Sequence, residues 1–226
     1  MPDAAEQAVE EALDSLEQGD VARARAAYRR ALEQRPDDPS VLVDLGHLAL
    51  AQGDAGEALD CFGRALAADA GRADALQGLV ATHRRNGRPV EALSAARRLA
   101  ELEPDDPLPA LEVADLALAL DLLDEAEDVF RSLPPIDEDP EHAVYAFHGL
   151  IEIELRRGRP RKALDLAVDA TRVDRLGRTT DVLAHVVARV FGEGGRAAPS
   201  RDDVDAALAA SRAEHRRLHD EETLVV

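Results

Sequence analysis

The 226-residue sequence predicts an all-α fold, an α-solenoid of stacked helix-turn-helix repeats. Three observations carry that expectation. One turn recurs at Gly19-Asp20, Gly53-Asp54, Gly87-Arg88, Asp121-Leu122, Gly158-Arg159 and Gly192-Glu193, at intervals of 34, 34, 34, 37 and 34 residues. Five residues past each of the first five turns stands an alanine: Ala24, Ala58, Ala92, Ala126 and Ala163. Four residues further on comes a core-type residue: Tyr28, Phe62, Ala96, Phe130 and Ala167. Apolar residues between the turns fall at helical spacing, with no alternating run that would mark a strand. A fixed period of this length identifies units that bury their apolar faces only by stacking on their neighbours.

Each unit justifies its own helix ends. Asp3 with Glu6 and Asp54 with Glu57 have the spacing of capping boxes. Asp38-Pro39, Asp106-Pro107 and Asp139-Pro140 each pair an N-cap acid with proline at the first helical position. Pro89 and Pro160 stand two residues after their turn glycines. The glycines suit the left-handed conformation that ends a helix, and Asp121 is expected to adopt it where glycine is missing. This punctuation predicts 11 or 12 helices.

Two segments depart from the period. Three extra residues lie in the run Leu133-Pro134-Pro135-Ile136-Asp137-Glu138-Asp139-Pro140, so the helix before it is expected to end near Ser132. The sixth unit pairs a strongly apolar helix at 180–191 with a lengthened turn and a second helix from Ser200 to about His219. That second helix reads as a cap, with Val204 and Leu208 inward and charge outward. The apolar tail 221–226 has three open roles: a linear motif, packing on its own chain, or strand pairing with a partner.

The repeat pattern resembles the tetratricopeptide repeat, a 34-residue helical hairpin of helices A and B. The second repeat matches through Leu42, Leu45, Gly46, Gly53, Ala58, Phe62 and Ala65. The first supplies Gly19, Ala24, Tyr28, Ala31 and Pro36. The third carries Val80, and the fifth Ile151, where the family has a helix A glycine. The resemblance places five repeats over residues 3–176, a degenerate sixth repeat with its capping helix over 177–220, and the tail after them. It implies a right-handed superhelical α-solenoid whose helix A faces line a concave groove for a protein or peptide partner.

Composition narrows the function. Forty-six acidic residues oppose 27 basic ones, a net charge of −19, which repels phosphate backbones, so no nucleic-acid partner is expected. Lys162 is the lone lysine, and such near-exclusive use of arginine fits a GC-rich, bacterial-like genome. Cys61 is the single cysteine, so no internal disulfide forms and a cytoplasmic location is expected. The N-terminus carries no apolar leader and no run nears the roughly 20 residues that span a bilayer, so no membrane insertion is expected.

No catalytic constellation, cofactor site or metal site stands out, and the chain is expected not to be an enzyme. Cys61 sits beside Phe62 in a packing helix and reads as a small buried hydrophobe. His215 and His219 share a helix face but supply only two ligands. Gly192 to Gly195 lacks the lysine and preceding strand of a phosphate loop. The carboxylate clamp that some family members use requires cations at set helix A positions. Those positions hold residues such as Val9, Asp44, Asp74, Gly78, Gln77 and Glu112, so the resemblance predicts no clamp. In its place the groove positions read as mixed. Asp44, Asp74, Glu112, Asp115 and Glu152 bring charge, Leu111, Leu118 and Tyr145 bring apolar surface, and His47, Gln77 and His148 lie among them. This favours an adaptor or scaffold that binds an amphipathic or basic segment. The alternative is a structural subunit that packs through solenoid ends, the apolar 180–191 helix being its motive.

Overall fold

The computed structural model describes residues 3–133 and 140–173, with side chains over 3–133 and 145–170. Among the described residues there are ten helices and no strand. They are α1 (Ala4–Glu17), α2 (Val21–Gln34), α3 (Pro39–Ala51), α4 (Ala55–Ala68), α5 (Ala73–Arg85), α6 (Pro89–Leu102), α7 (Pro107–Ala119), α8 (Leu123–Ser132), α9 (Pro140–Arg156) and α10 (Pro160–Val173). The remaining helices expected from the sequence lie outside these residues, as do the apolar 180–191 segment, His215, His219 and the tail.

The chain is an α-solenoid whose contacts group into two units, Met1–Leu120 and Asp121–Val226. In the first, each helix from α1 to α7 packs on the next, and α3 also meets α5. In the second, α9 packs on both α8 and α10. Odd-numbered helices are the A helices of the repeats and even-numbered ones the B helices.

The capping chemistry follows the sequence closely. Asp3 accepts from the amides of Ala5 and Glu6 while Glu6 reaches back to the Asp3 amide. Asp38 and Asp106 cap α3 and α7, each ahead of a proline. Gly19, Gly53, Gly87 and Gly158 have φ of 75°, 79°, 66° and 68°, and Asp121 takes 60°. The second capping box forms only half. Asp54 accepts from the Glu57 amide, but its own amide already donates to the Ala49 carbonyl at 2.9 Å. The Glu57 carboxylate turns instead to Arg25 and Arg29 on α2.

The repeat alanines Ala24, Ala58, Ala92, Ala126 and Ala163 are fully buried, because a methyl group is all the space that closely apposed helices leave. Phe62 is fully buried as well, and its ring lies against two glycines. A methyl group at Gly46 of α3 would stand 2.7 Å from the ring, and one at Gly78 of α5 would be nearer still. Gly149 of α9 meets the Phe130 ring in the same way. In the third and fifth repeats Val80 and Ile151 hold the family's glycine position, and Gly78 and Gly149, two residues upstream, face the aromatic ring of the preceding helix B, whereas Gly46 faces the ring of its own repeat.

Arginines stitch neighbouring repeats. Arg25 reaches Asp54 at 2.5 Å and Arg29 reaches Glu57 at 2.5 Å. Arg64 donates to the Pro36 carbonyl at 2.6 Å and Arg85 to the Leu50 carbonyl at 2.7 Å. In the second unit Arg157 bonds Asp124, Glu127 and the buried Glu154. A planar guanidinium with five donors can serve several acceptors at once, which a lysine ammonium does less well.

Candidate functional site

The helix A faces of the first unit hold two open clefts. The one between α5 and α7 encloses about 310 Å³. Val80, Ala81, Leu99 and Pro109 form its apolar floor, and Leu108 stands at its edge 59% exposed. Gln77 offers an exposed amide there. Arg84 and Glu112 form a two-pronged ion pair across this cleft, with the arginine Nη1 at 2.6 and 2.8 Å from the two carboxylate oxygens.

The other cleft lies between α1 and α3 and encloses about 470 Å³. Val9 and Val41 line it, with Glu10 and Asp44 among its polar groups. Asp44 is open to solvent on one side, but the protein around it pushes its carboxyl above the usual range. His47 and Arg72 oppose that rise, and Asp74 and Asp38 add to it. His47, one turn further along α3, is exposed and sets its ring edge-on to Phe62, with centroids 5.0 Å apart.

Between the clefts, Arg72 grips Asp74 at 2.6 and 3.0 Å and also donates to the Ser40 hydroxyl at 3.0 Å. Those hydrogen bonds hold the Asp74 carboxyl below its ordinary range. In the second unit Glu152 pairs with Arg156 at 2.9 Å, His148 is half-buried, and Tyr145 is exposed with its ring 6.5 Å from that of Phe130.

The expected site residues thus divide. Asp44, His47 and Gln77 present exposed polar groups; Asp74, Glu112 and Glu152 are engaged by arginines. Asp115 and Leu118 are half-buried, and each also interacts elsewhere in the chain. Leu111 is only 8% exposed, since its side chain turns into the packing between helices, and it offers a partner almost no surface. The sequence reading paired none of these carboxylates with an arginine. Its available signal was spacing: Arg84 and Glu112 are 28 residues apart, as are Arg29 and Glu57.

Cys61 is buried, and burial pushes its thiol up to about 11, so little thiolate exists near neutral pH. Among the described residues, no group of three His, Cys, Asp or Glu side chains is placed to hold a metal ion. No helix there is long and apolar enough to cross a membrane.

Comparisons with known proteins match this geometry. A tetratricopeptide repeat family model fits residues 15–82 and 83–151, together more than half of the chain. Cellulose synthase operon protein C of Xanthomonas axonopodis pv. citri (strain 306) is 28% identical over 221 residues, 94% of this chain; the chain spans 12% of that relative's length. Among solved structures, a tetratricopeptide repeat protein from Parabacteroides merdae ATCC 43184 superposes with a TM-score of 0.67 at 18% identity, covering 95% of this chain and 89% of its own. MamA gives 0.67 at 16% identity, covering 78% and 95%. YrrB, described as a tetratricopeptide repeat protein with an unusual peptide-binding site, gives 0.63 at 23% identity, covering 78% and 95%. The chain belongs to the tetratricopeptide repeat family.

Proposed function

We propose that this chain is a non-catalytic adaptor that holds a segment of a partner protein on its helix A faces. The α5–α7 cleft is the observation that carries this reading. It is open, floored by aliphatic side chains, and fringed by Gln77, Arg84 and Glu112, a combination of apolar anchors and orienting polar groups suited to a peptide. The likeness of the fold to YrrB, itself described as peptide-binding, supports the same reading. A cytoplasmic site of action belongs to it too, because the lone thiol of Cys61 is free.

Arginine pairing changes the electrostatics expected of such a groove. Asp74, Glu112 and Glu152 already have cations, so a basic partner must compete with Arg72, Arg84 and Arg156 for them. Affinity at the central cleft then rests on apolar anchoring at Leu108 and Ala81, with the Arg84–Glu112 pair orienting the segment. The test is affinity capture on immobilised protein. Leu108→Ser combined with Gln77→Ala should lose at least 90% of the proteins retained by the parent while keeping its helical circular dichroism. Val90→Ser, on the exposed start of α6, should retain them. Equal retention by all three would remove the groove as the binding face.

A further inference from the structure

The N-terminal cleft differs from the central one in charge and in apolar surface. Helix α1 carries Glu6, Glu10, Glu11, Asp14 and Glu17 and no basic residue. Glu11 is taken by Arg23 and Arg30, and Glu6 by Arg35. Glu10, Asp14, Glu17 and Asp44 form no ion pair among the described residues. One repeat further, Asp74 has Arg72, and beyond it Glu112 has Arg84. Uncompensated acid on the helix A surface of the first unit is therefore concentrated at its N-terminal end.

The same helix exposes an apolar stripe. Val9 lines the cleft, and Leu13 and Leu16 continue its line along α1 at i+4 and i+7, 50% and 36% exposed. Aliphatic groups in a row beside unpaired carboxylates match a helix with leucine-type anchors on one face and cations flanking them. A second copy of this chain does not match. A two-fold contact sets a patch against itself, and here it would oppose Glu10, Asp14, Glu17 and Asp44, the acids without an ion pair among the described residues, to their own copies.

We propose that α1 and the α1–α3 cleft dock a basic amphipathic helix of a partner protein, with aliphatic anchors on Val9, Leu13 and Leu16 and cations on Glu10 and Asp44. This rests on the helix A faces being the binding surface and deepens that reading by placing a cationic segment at their N-terminal end. The Asp44 carboxyl, lifted by the protein around it, gains most from a cation brought alongside.

The probe is a fluorescein-labelled 18-residue peptide with leucines at i, i+3, i+4 and i+7 spacing and arginines elsewhere, alongside a twin with glutamate for arginine. Fluorescence anisotropy should show saturable binding of the arginine peptide alone. Glu10→Gln with Asp44→Asn should weaken it about five- to tenfold, and Leu13→Ser with Leu16→Ser more than tenfold. Glu33→Gln with Glu101→Gln, equal in charge change and exposed on helix B faces, serves as the control and should change affinity less than twofold. No saturable binding, equal binding of the glutamate twin, or equal weakening by the control pair overturns the proposal. Weakening by Glu112→Gln in place of Asp44→Asn also overturns it, yet leaves the groove itself as the binding face. Binding that only helix B substitutions weaken removes both.

Discussion

Replacing Gly78 by alanine tests the repeat interface at its tightest point. The new methyl group would lie 2.6 Å from Phe62 Cε2 and closer to two other ring carbons, where carbon contacts normally relax to about 3.5–4.0 Å. Phe62 has no exposed surface, and Gly46 closes on the same ring from α3, so the ring has nowhere to retreat. Overpacking a filled core costs about 1–3 kcal/mol. Alanine returns about 1 kcal/mol through its helix propensity, which leaves a net loss of up to about 2 kcal/mol. For a chain of this size that lowers the melting temperature by up to roughly 8 °C. Gly63 is the matched comparison: it lies in α4, is exposed, and a methyl group there meets nothing within 4 Å. Gly63→Ala should raise stability by about 0.5–1 kcal/mol. Urea midpoints and thermal melts of the two variants should move in opposite directions. Combining Gly78→Ala with Phe62→Leu should cost less than the sum of the two changes, since the smaller side chain makes room. A Gly78→Ala protein as stable as Gly63→Ala would refute the glycine–ring packing.

Acid should destabilise the fold in a defined window. Arg25 holds the Asp54 carboxyl, and Arg157 that of Glu127, below their ordinary values of 3.8 and 4.5. Depressed carboxyls contribute stability above those ordinary values and lose it as pH falls through the folded ones; Asp44, raised, contributes the opposite sign on the acid side. Burial also holds His83 below its ordinary 6.5, so thermal melts should slip slightly from about pH 7 to 5 and decline more steeply below about 4.5, and a rise on acidification would contradict the pairing. Arg157→Ala leaves the buried Glu154 with Arg159 as its remaining cation among the described residues and should cost about 1–3 kcal/mol in urea unfolding. Asp38→Ala removes the bonds to the Ser40 and Val41 amides and should cost about 1 kcal/mol by the same measurement. Cys61, buried and with its thiol pushed up to about 11, should react with a thiol reagent at pH 8 only as fast as the protein opens. Immediate labelling of the folded protein would place that side chain at the surface.

Much of the fold was legible because its determinants are local. Turn glycines, the buried alanines and the Asp-Pro starts each act within a few residues, and a period of 34 repeats the message. Even the exception at Asp121 was readable, since aspartate tolerates a positive φ. The close approach of Gly78 and Gly149 to a ring of the preceding repeat was not, because which helix A position meets that ring depends on how two helices slide past each other. The site was less legible for the same reason. Helical phase placed Asp74 and Glu112 on helix A, but whether a carboxylate stays open or is claimed depends on arginines that arrive from elsewhere, Arg72 by a local bend and Arg84 from the preceding repeat. Leu111 shows the limit of phase alone: one step around α7 separates it from the exposed Leu108 side, and it packs inward.

The central claim is that the helix A faces, and not the helix B faces, receive the partner. A photo-crosslinking amino acid placed in living cells at Gln77 or at Leu108 tests it most directly, with Val90 and Arg98 on α6 as the comparison positions. One discrete adduct of the same added mass is expected from both Gln77 and Leu108, and none of that mass from Val90 or Arg98. The same adduct arising from the α6 positions, with the two groove positions silent, would contradict it.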